Sequence, residues 1–77
     1  MNLYILTTDI TTPHAEKVLV AAHDSDDAKA IHPDSPEAWS FGNYTWVVTP
    51  EQIHVELIGQ AHPSIKHGIL MIVYRED

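Results

Sequence analysis

The chain has no cysteine, which excludes disulfides, thiol catalysis and the cysteine ligands of zinc knuckles. It also has few basic residues: four Lys and Arg stand against eleven Asp and Glu, and the formal net charge is −7. Phosphate backbones and anionic lipid surfaces repel such a chain, so we expect neither direct nucleic-acid binding nor membrane binding. A basic protein surface is the natural electrostatic partner.

Long apolar runs are lacking as well. The run from Leu3 to Leu6 is short and has no positive charge ahead of it, unlike a signal peptide. No segment approaches the roughly 20 apolar residues of a membrane-spanning helix. Together with the absence of cysteine, these features predict a soluble protein of a reducing, cytoplasmic compartment.

The apolar content is still sufficient for a core. With 77 residues and 44% hydrophobic side chains, the chain predicts a single small domain over residues 1–77 with a thin core. Asp24 or Ser25 can cap the start of a helix, and Pro33 should end that helix at His32. Pro50 suits the first position of a separate, single helical turn further along the chain. Four segments predict strands: Asn2–Thr8, Glu16–Ala22, Ile53–Gln60 and Gly68–Tyr74.

The strands and the helix predict an α+β fold of the order β-β-α-β-β. The second and last strands are apolar on both faces, which is typical of central strands. The third alternates between apolar and polar residues, with Ile58 breaking the pattern. We therefore predict a four-stranded, mainly antiparallel sheet of order 1-2-4-3, with one short helix on one face. Gly42-Asn43 further suggests a small hairpin between Trp39 and Trp46.

Several short motifs along the chain carry a resemblance to a known group. They are listed in chain order: Leu3-x-x-Leu6-Thr7, Val18-x-Val20-Ala21-Ala22, Ala30-Ile31-His32-Pro33, Pro50-Glu51-x-Ile53-x-Val55-x-Leu57-Ile58-Gly59-x-Ala61 and Gly68-Ile69-Leu70. With these motifs the chain resembles a family of small proteins encoded by phages and prophages, a family without an assigned activity. The resemblance implies the cytoplasm of an infected or lysogenic bacterium as the setting. Small acidic phage proteins often bind a host protein, including components of host defence.

Catalytic and metal chemistry are weakly represented. His54, His62 and His67 lie close enough in sequence to suggest convergence, but no His-Glu-x-x-His motif or helical i, i+4 histidine pair is present. No Gly-x-Ser-x-Gly elbow and no glycine-rich phosphate loop is present either. We therefore expect no catalytic residues, no metal site and no cofactor.

Two other groups of residues suggest a partner-binding surface. The acidic residues around the predicted helix would form a negative patch that docks on a basic groove, or would simply be a solvated helix start. The aromatic residues after the helix are favoured interface anchors, although some must complete the core. The predicted partner-binding residues are Asp24, Asp26, Asp27, Asp34, Glu37, Trp39, Phe41 and Tyr44.

The sequence thus predicts a non-enzymatic acidic binding module, a phage accessory protein that docks on a basic host factor, with inhibition of host defence as one candidate role. A self-associating structural protein, such as a homodimer formed through an open sheet face, is the main alternative. A small domain that binds a metal or ligand through its histidines is the third.

Overall fold

The computed structural model describes residues 1–8, 15–31 and 50–74, with the side chain of Pro50 excepted. Over these ranges the fold is α+β, with a four-stranded antiparallel sheet and one short helix. The elements in chain order are β1 (Asn2–Thr8), β2 (Ala15–Ala22), α1 (Ser25–Lys29), a 3-10 turn (Pro50–Gln52), β3 (Ile53–Gln60) and β4 (Gly68–Tyr74). All four predicted strands are confirmed, β2 beginning one residue earlier than expected. The predicted hairpin between Trp39 and Trp46 lies outside the described residues.

The strands lie in the order β3-β1-β2-β4, and every neighbouring pair is antiparallel. The predicted neighbours β1–β2 and β2–β4 are both observed. The predicted order 1-2-4-3 also paired β3 with β4, and here the structure differs, because β3 pairs with β1. The central strands are therefore β1 and β2, and β4 forms an edge. The apolar residues of this edge strand divide between Ile72, which packs against the core, and Met71 and Val73, which are exposed on the opposite face.

The core lies between the sheet and the helix. Tyr4 and Leu6 of β1, Val18 and Val20 of β2 and Ala28 of the helix are buried in one cluster. Because side chains alternate along a strand, these residues occupy one face of the sheet. Their neighbours in sequence, including Ile5 and Leu19, therefore occupy the opposite face, which the helix does not cover.

The helix is shorter than the sequence suggested. It ends at Lys29, with Ala30 as its C-cap, rather than at His32 before Pro33. Asp24 is the N-cap, and its side chain accepts a hydrogen bond from the backbone N–H of Asp27. A helix of this length is not stable alone, so it depends on its packing against the sheet through Ala28.

The break in the alternation of β3 corresponds to an irregularity in the sheet. Leu57 lies opposite Tyr4 and Gly59 lies opposite Leu3, so Ile58 is an extra residue without a partner in the register. Such a bulge changes the face towards which the following side chain points. Ile53, Val55 and Leu57 point to the helix side, whereas Ile58 joins the opposite face.

Candidate functional site

Two of the three acidic residues at the start of the helix serve the fold. The Asp24 Oδ1 atom accepts the Asp27 backbone N–H at 2.8 Å, and the Asp27 Oδ2 atom accepts the His23 backbone N–H at 2.9 Å. Asp26 is exposed, and its side chain makes no hydrogen bond within the described part of the chain. The remaining predicted partner-binding residues lie outside the described residues: Asp34, Glu37, Trp39, Phe41 and Tyr44.

A histidine from the far end of the chain completes this cluster. The Nε2 atom of His67 lies 2.8 Å from Asp27 Oδ2. The His67 ring stacks on the His23 ring, with the ring centres 5.6 Å apart and the planes inclined by 24°. Asp27 thereby links the start of the helix to the loop that precedes β4.

The electrostatics of Asp27 follow from these neighbours. The backbone N–H of His23 is the largest cause of a lowered Asp27 pKa, because this hydrogen bond favours the charged carboxylate. The hydrogen bond and charge of His67 lower the pKa further, as does the charge of His23, while desolvation acts in the opposite direction. Asp27 is therefore held as a carboxylate at neutral pH.

This cluster has part of the chemistry of a catalytic site. A histidine oriented by a carboxylate becomes a general base when a nucleophile lies beside it. The Ser64 hydroxyl instead lies 2.7 Å from Nδ1 of His62, and the Ser64 backbone N–H donates to the same nitrogen at 3.1 Å. That geometry is a local turn. For the residues that the structure describes, the His67–Asp27 pair anchors the loop to the helix.

The three histidines considered for metal binding do not gather in one place. His67 pairs with Asp27, and His62 pairs with Ser64. Among the described residues, no group of three or more His, Asp or Glu side chains has the geometry of a metal site. A helix of a length and apolarity that could span a membrane is likewise not found within the described ranges.

The sheet face opposite the helix is apolar, half-buried on the central strands and exposed on the two edge strands. The register places Leu19 opposite both Ile5 and Met71, and it places Val73 opposite Lys17. Met71 is 55% exposed, Ile58 47% and Val73 39%. We call this surface the open face and define it by its apolar residues: Leu3, Ile5, Leu19, Ile58, Met71 and Val73.

A shallow groove crosses the open face. Its volume is about 170 Å³, and its lining includes Ile5, Leu19, Ile58, Met71, Val73 and Lys17. A dry apolar cavity of about 150 Å³ can hold benzene. The groove therefore has the size to accept one large apolar side chain of another polypeptide.

Two charged residues flank this groove on the same face. Lys17 precedes Val18 on β2, and Glu56 lies opposite Ile5 on β3. Both are exposed, and neither forms an ion pair with another described residue. Glu16, also exposed, lies in the β2 bulge before Lys17 and has no partner in the register. The open face thus combines an apolar centre with single charges at its margin.

Sequence reasoning missed the cluster of His23, Asp27 and His67. The spacing of Asp24 and Asp27 carried part of the signal, since a capping residue followed three positions later by an acid is typical of helix starts. No local pattern in the sequence indicated that His67 would contact Asp27 and His23. No protein-family model, curated protein or solved structure matches this chain.

Proposed function

We propose that this chain is a non-enzymatic protein-binding module that docks through the open face. The observation that carries this proposal is the exposure of Met71, Ile58 and Val73 together on one sheet face. Single exposed apolar residues are ordinary on soluble proteins, whereas contiguous apolar patches mark interaction surfaces. Protein docking requires only this apolar surface and needs neither a cofactor nor a reactive side chain.

The energetics favour a partner that covers the whole face. Complete burial of a Met, Ile or Val side chain contributes about 1.5–3 kcal/mol, so several such residues must be covered together to offset the entropy of association. The groove beside Leu19 would receive an anchoring side chain, which is how a few residues come to dominate an interface. Lys17 and Glu56 would then lie at the polar margin.

The acidic helix supports a second docking surface in the same class of function. Asp26 is exposed and takes no part in the cap, in contrast to Asp24 and Asp27. A basic host protein would be attracted to this carboxylate and to the chain as a whole, whose formal charge is −7. The phage setting and the role of a defence inhibitor are part of this second proposal, and they depend on the resemblance described above.

A site-specific photo-crosslinker tests the first proposal. Benzoylphenylalanine replaces Met71 on the open face or, as the matched control, Leu57, which is 60% exposed but lies on the helix side of the sheet. We expect a saturable adduct with a polypeptide from position 71, and its loss when Leu19→Lys is added. Equal labelling from both positions, or no polypeptide adduct from position 71, would contradict the proposal.

A further inference from the structure

The charges on the open face lie in a pattern that a second copy of the same face complements. Lys17 on β2 and Glu56 on β3 are separated by one strand, β1. Strand spacing and rise place their Cα atoms about 12 Å apart across the face, with Ile5 beside the midpoint. Within the described part of the chain neither side chain has an ionic partner.

From this pattern we propose that the open face docks on the open face of a second copy, and that Lys17 of each protomer pairs with Glu56 of the other. This inference rests on the proposed function and names its partner. A two-fold axis requires every contact to occur twice, once in each direction. The two-fold axis lies in the plane of the interface, passes near Ile5 and runs perpendicular to the line from Lys17 to Glu56. Rotation about it brings Lys17 of one copy over Glu56 of the other, and the same rotation forms the reciprocal pair.

The placement of charged groups among the described residues favours a second copy as the partner of this face. The formal charge of −7 makes two copies repel each other in most orientations. On the open face, however, the register places Lys17 and Glu56, whose charges offset each other, and adds only Glu16, which is exposed in the bulge beside Lys17. The acidic helix start at Asp24, Asp26 and Asp27 lies on the other side of the sheet. Contact through the open face therefore keeps these three carboxylates of one copy away from those of the other.

The area of the face sets the strength of such a dimer. Four strands about 4.8 Å apart and seven or eight residues long present a projected area of roughly 450 Å². This lies below the roughly 800 Å² per partner of a standard interface. Two sheets packed face to face about 10 Å apart would bury the apolar centre. We expect dissociation in the micromolar range.

Charge reversal and mixing test the reciprocal pair. Lys17→Glu places two Glu–Glu contacts in the dimer, and Glu56→Lys places two Lys–Lys contacts, so each variant alone should dissociate about tenfold more readily. Mixed in equal amounts, the two variants recreate both Lys–Glu pairs in a heterodimer, and the association of the wild type should return. Sedimentation velocity over a concentration series measures all three samples, and thermal melts followed by circular dichroism confirm that each variant is folded.

Net charge provides an internal control in this experiment. Glu56→Lys makes the chain less negative by two units, so if overall repulsion alone governed association, this variant would dimerise more strongly than the wild type. Weaker association of Glu56→Lys together with recovery on mixing supports the proposed pair. A dimer that shows no recovery on mixing overturns it; edge-to-edge pairing of β4 strands, which does not bring Lys17 to Glu56, would give that result. A wild type that stays monomeric would overturn the proposal that a second copy is the partner. The crosslink from position 71 decides separately whether the open face binds any protein.

Discussion

Leu19 and Met71 lie directly opposite each other on β2 and β4, on the sheet face that the helix does not cover. Val18 and Ile72 are the adjacent pair, and they contribute to the covered side, where Val18 is fully buried. Successive residue pairs along these two strands therefore alternate between the core and the open face. This alternation makes the two faces separable by mutation, because the side chains of the two faces pack against different neighbours.

Leu6→Ala should remove a large part of the stability of the domain. Leu6 is completely buried in the central strand β1, and a Leu to Ala change at such a site costs about 2–5 kcal/mol. A domain of this size has a total free energy of unfolding of about 4–12 kcal/mol. Urea denaturation measures the loss. Leu57→Ala is the control, since its exposed side chain should cost less than about 0.5 kcal/mol, and similar losses for both variants would be inconsistent with the described core.

Asp24→Ala should destabilise the domain more than Asp26→Ala, although both remove one negative charge. Asp24 accepts the Asp27 N–H as the N-cap, a role worth about 1 kcal/mol, whereas Asp26 is exposed in the first turn. Thermal or urea unfolding at one fixed pH compares the two variants. If Asp26→Ala were the more damaging change, the assignment of Asp24 as the cap would be wrong.

The contribution of Asp27 should depend on pH. Its pKa in the folded state is lowered, mainly by the His23 N–H, so its stabilising effect is fully present above the unfolded value of about 3.9 and is lost as the pH falls through the folded pKa. We therefore expect the wild type to be more stable than Asp27→Asn above about pH 5. The difference should shrink towards acid pH.

A second variant separates the two causes of this effect. His67→Ala removes the weaker contribution and leaves the His23 N–H in place, so a reduced dependence on pH should remain. Unfolding free energies from urea titrations at several pH values measure both variants. A gap between wild type and Asp27→Asn that stays constant from pH 3 to 7 would show that the Asp27 pKa is not lowered.

Local patterns in the sequence predicted the strands well and the arrangement of the sheet less well. The alternation in β3 and the apolar composition of β4 identified both as strands, and Ile58 marked the bulge. The neighbour of β3 was missed because an apolar strand such as β4 looks the same whether it is central or lies at the edge of an exposed face. Register and long-range pairing, as between Asp27 and His67, depend on tertiary packing that no local window contains.

The candidate site was predictable to a similar extent. The apolar residues of the second and last strands, with a single short helix to cover them, already indicated an uncovered face. In the structure Met71 and Val73 of the last strand are exposed there, Leu19 of the second strand is half-buried, and Ile58 of β3 is an exposed member that the sequence did not indicate. For the acidic residues at the helix start, the sequence showed only that several carboxylates lie close together along the chain. Its division into Asp24 and Asp27, which serve the helix, and Asp26, which does not, required the geometry of the cap.

Sedimentation of the wild type beside Met71→Lys and Leu57→Lys tests most directly whether the open face is buried by association with a second copy. Both substitutions place a lysine at a well-exposed apolar position and change the net charge equally, but Met71 lies on the open face and Leu57 on the helix side. We predict a concentration-dependent dimer for the wild type and for Leu57→Lys, and a monomer for Met71→Lys with unchanged thermal stability at low concentration. A dimer that persists in Met71→Lys, or that is lost equally in Leu57→Lys, would contradict this account.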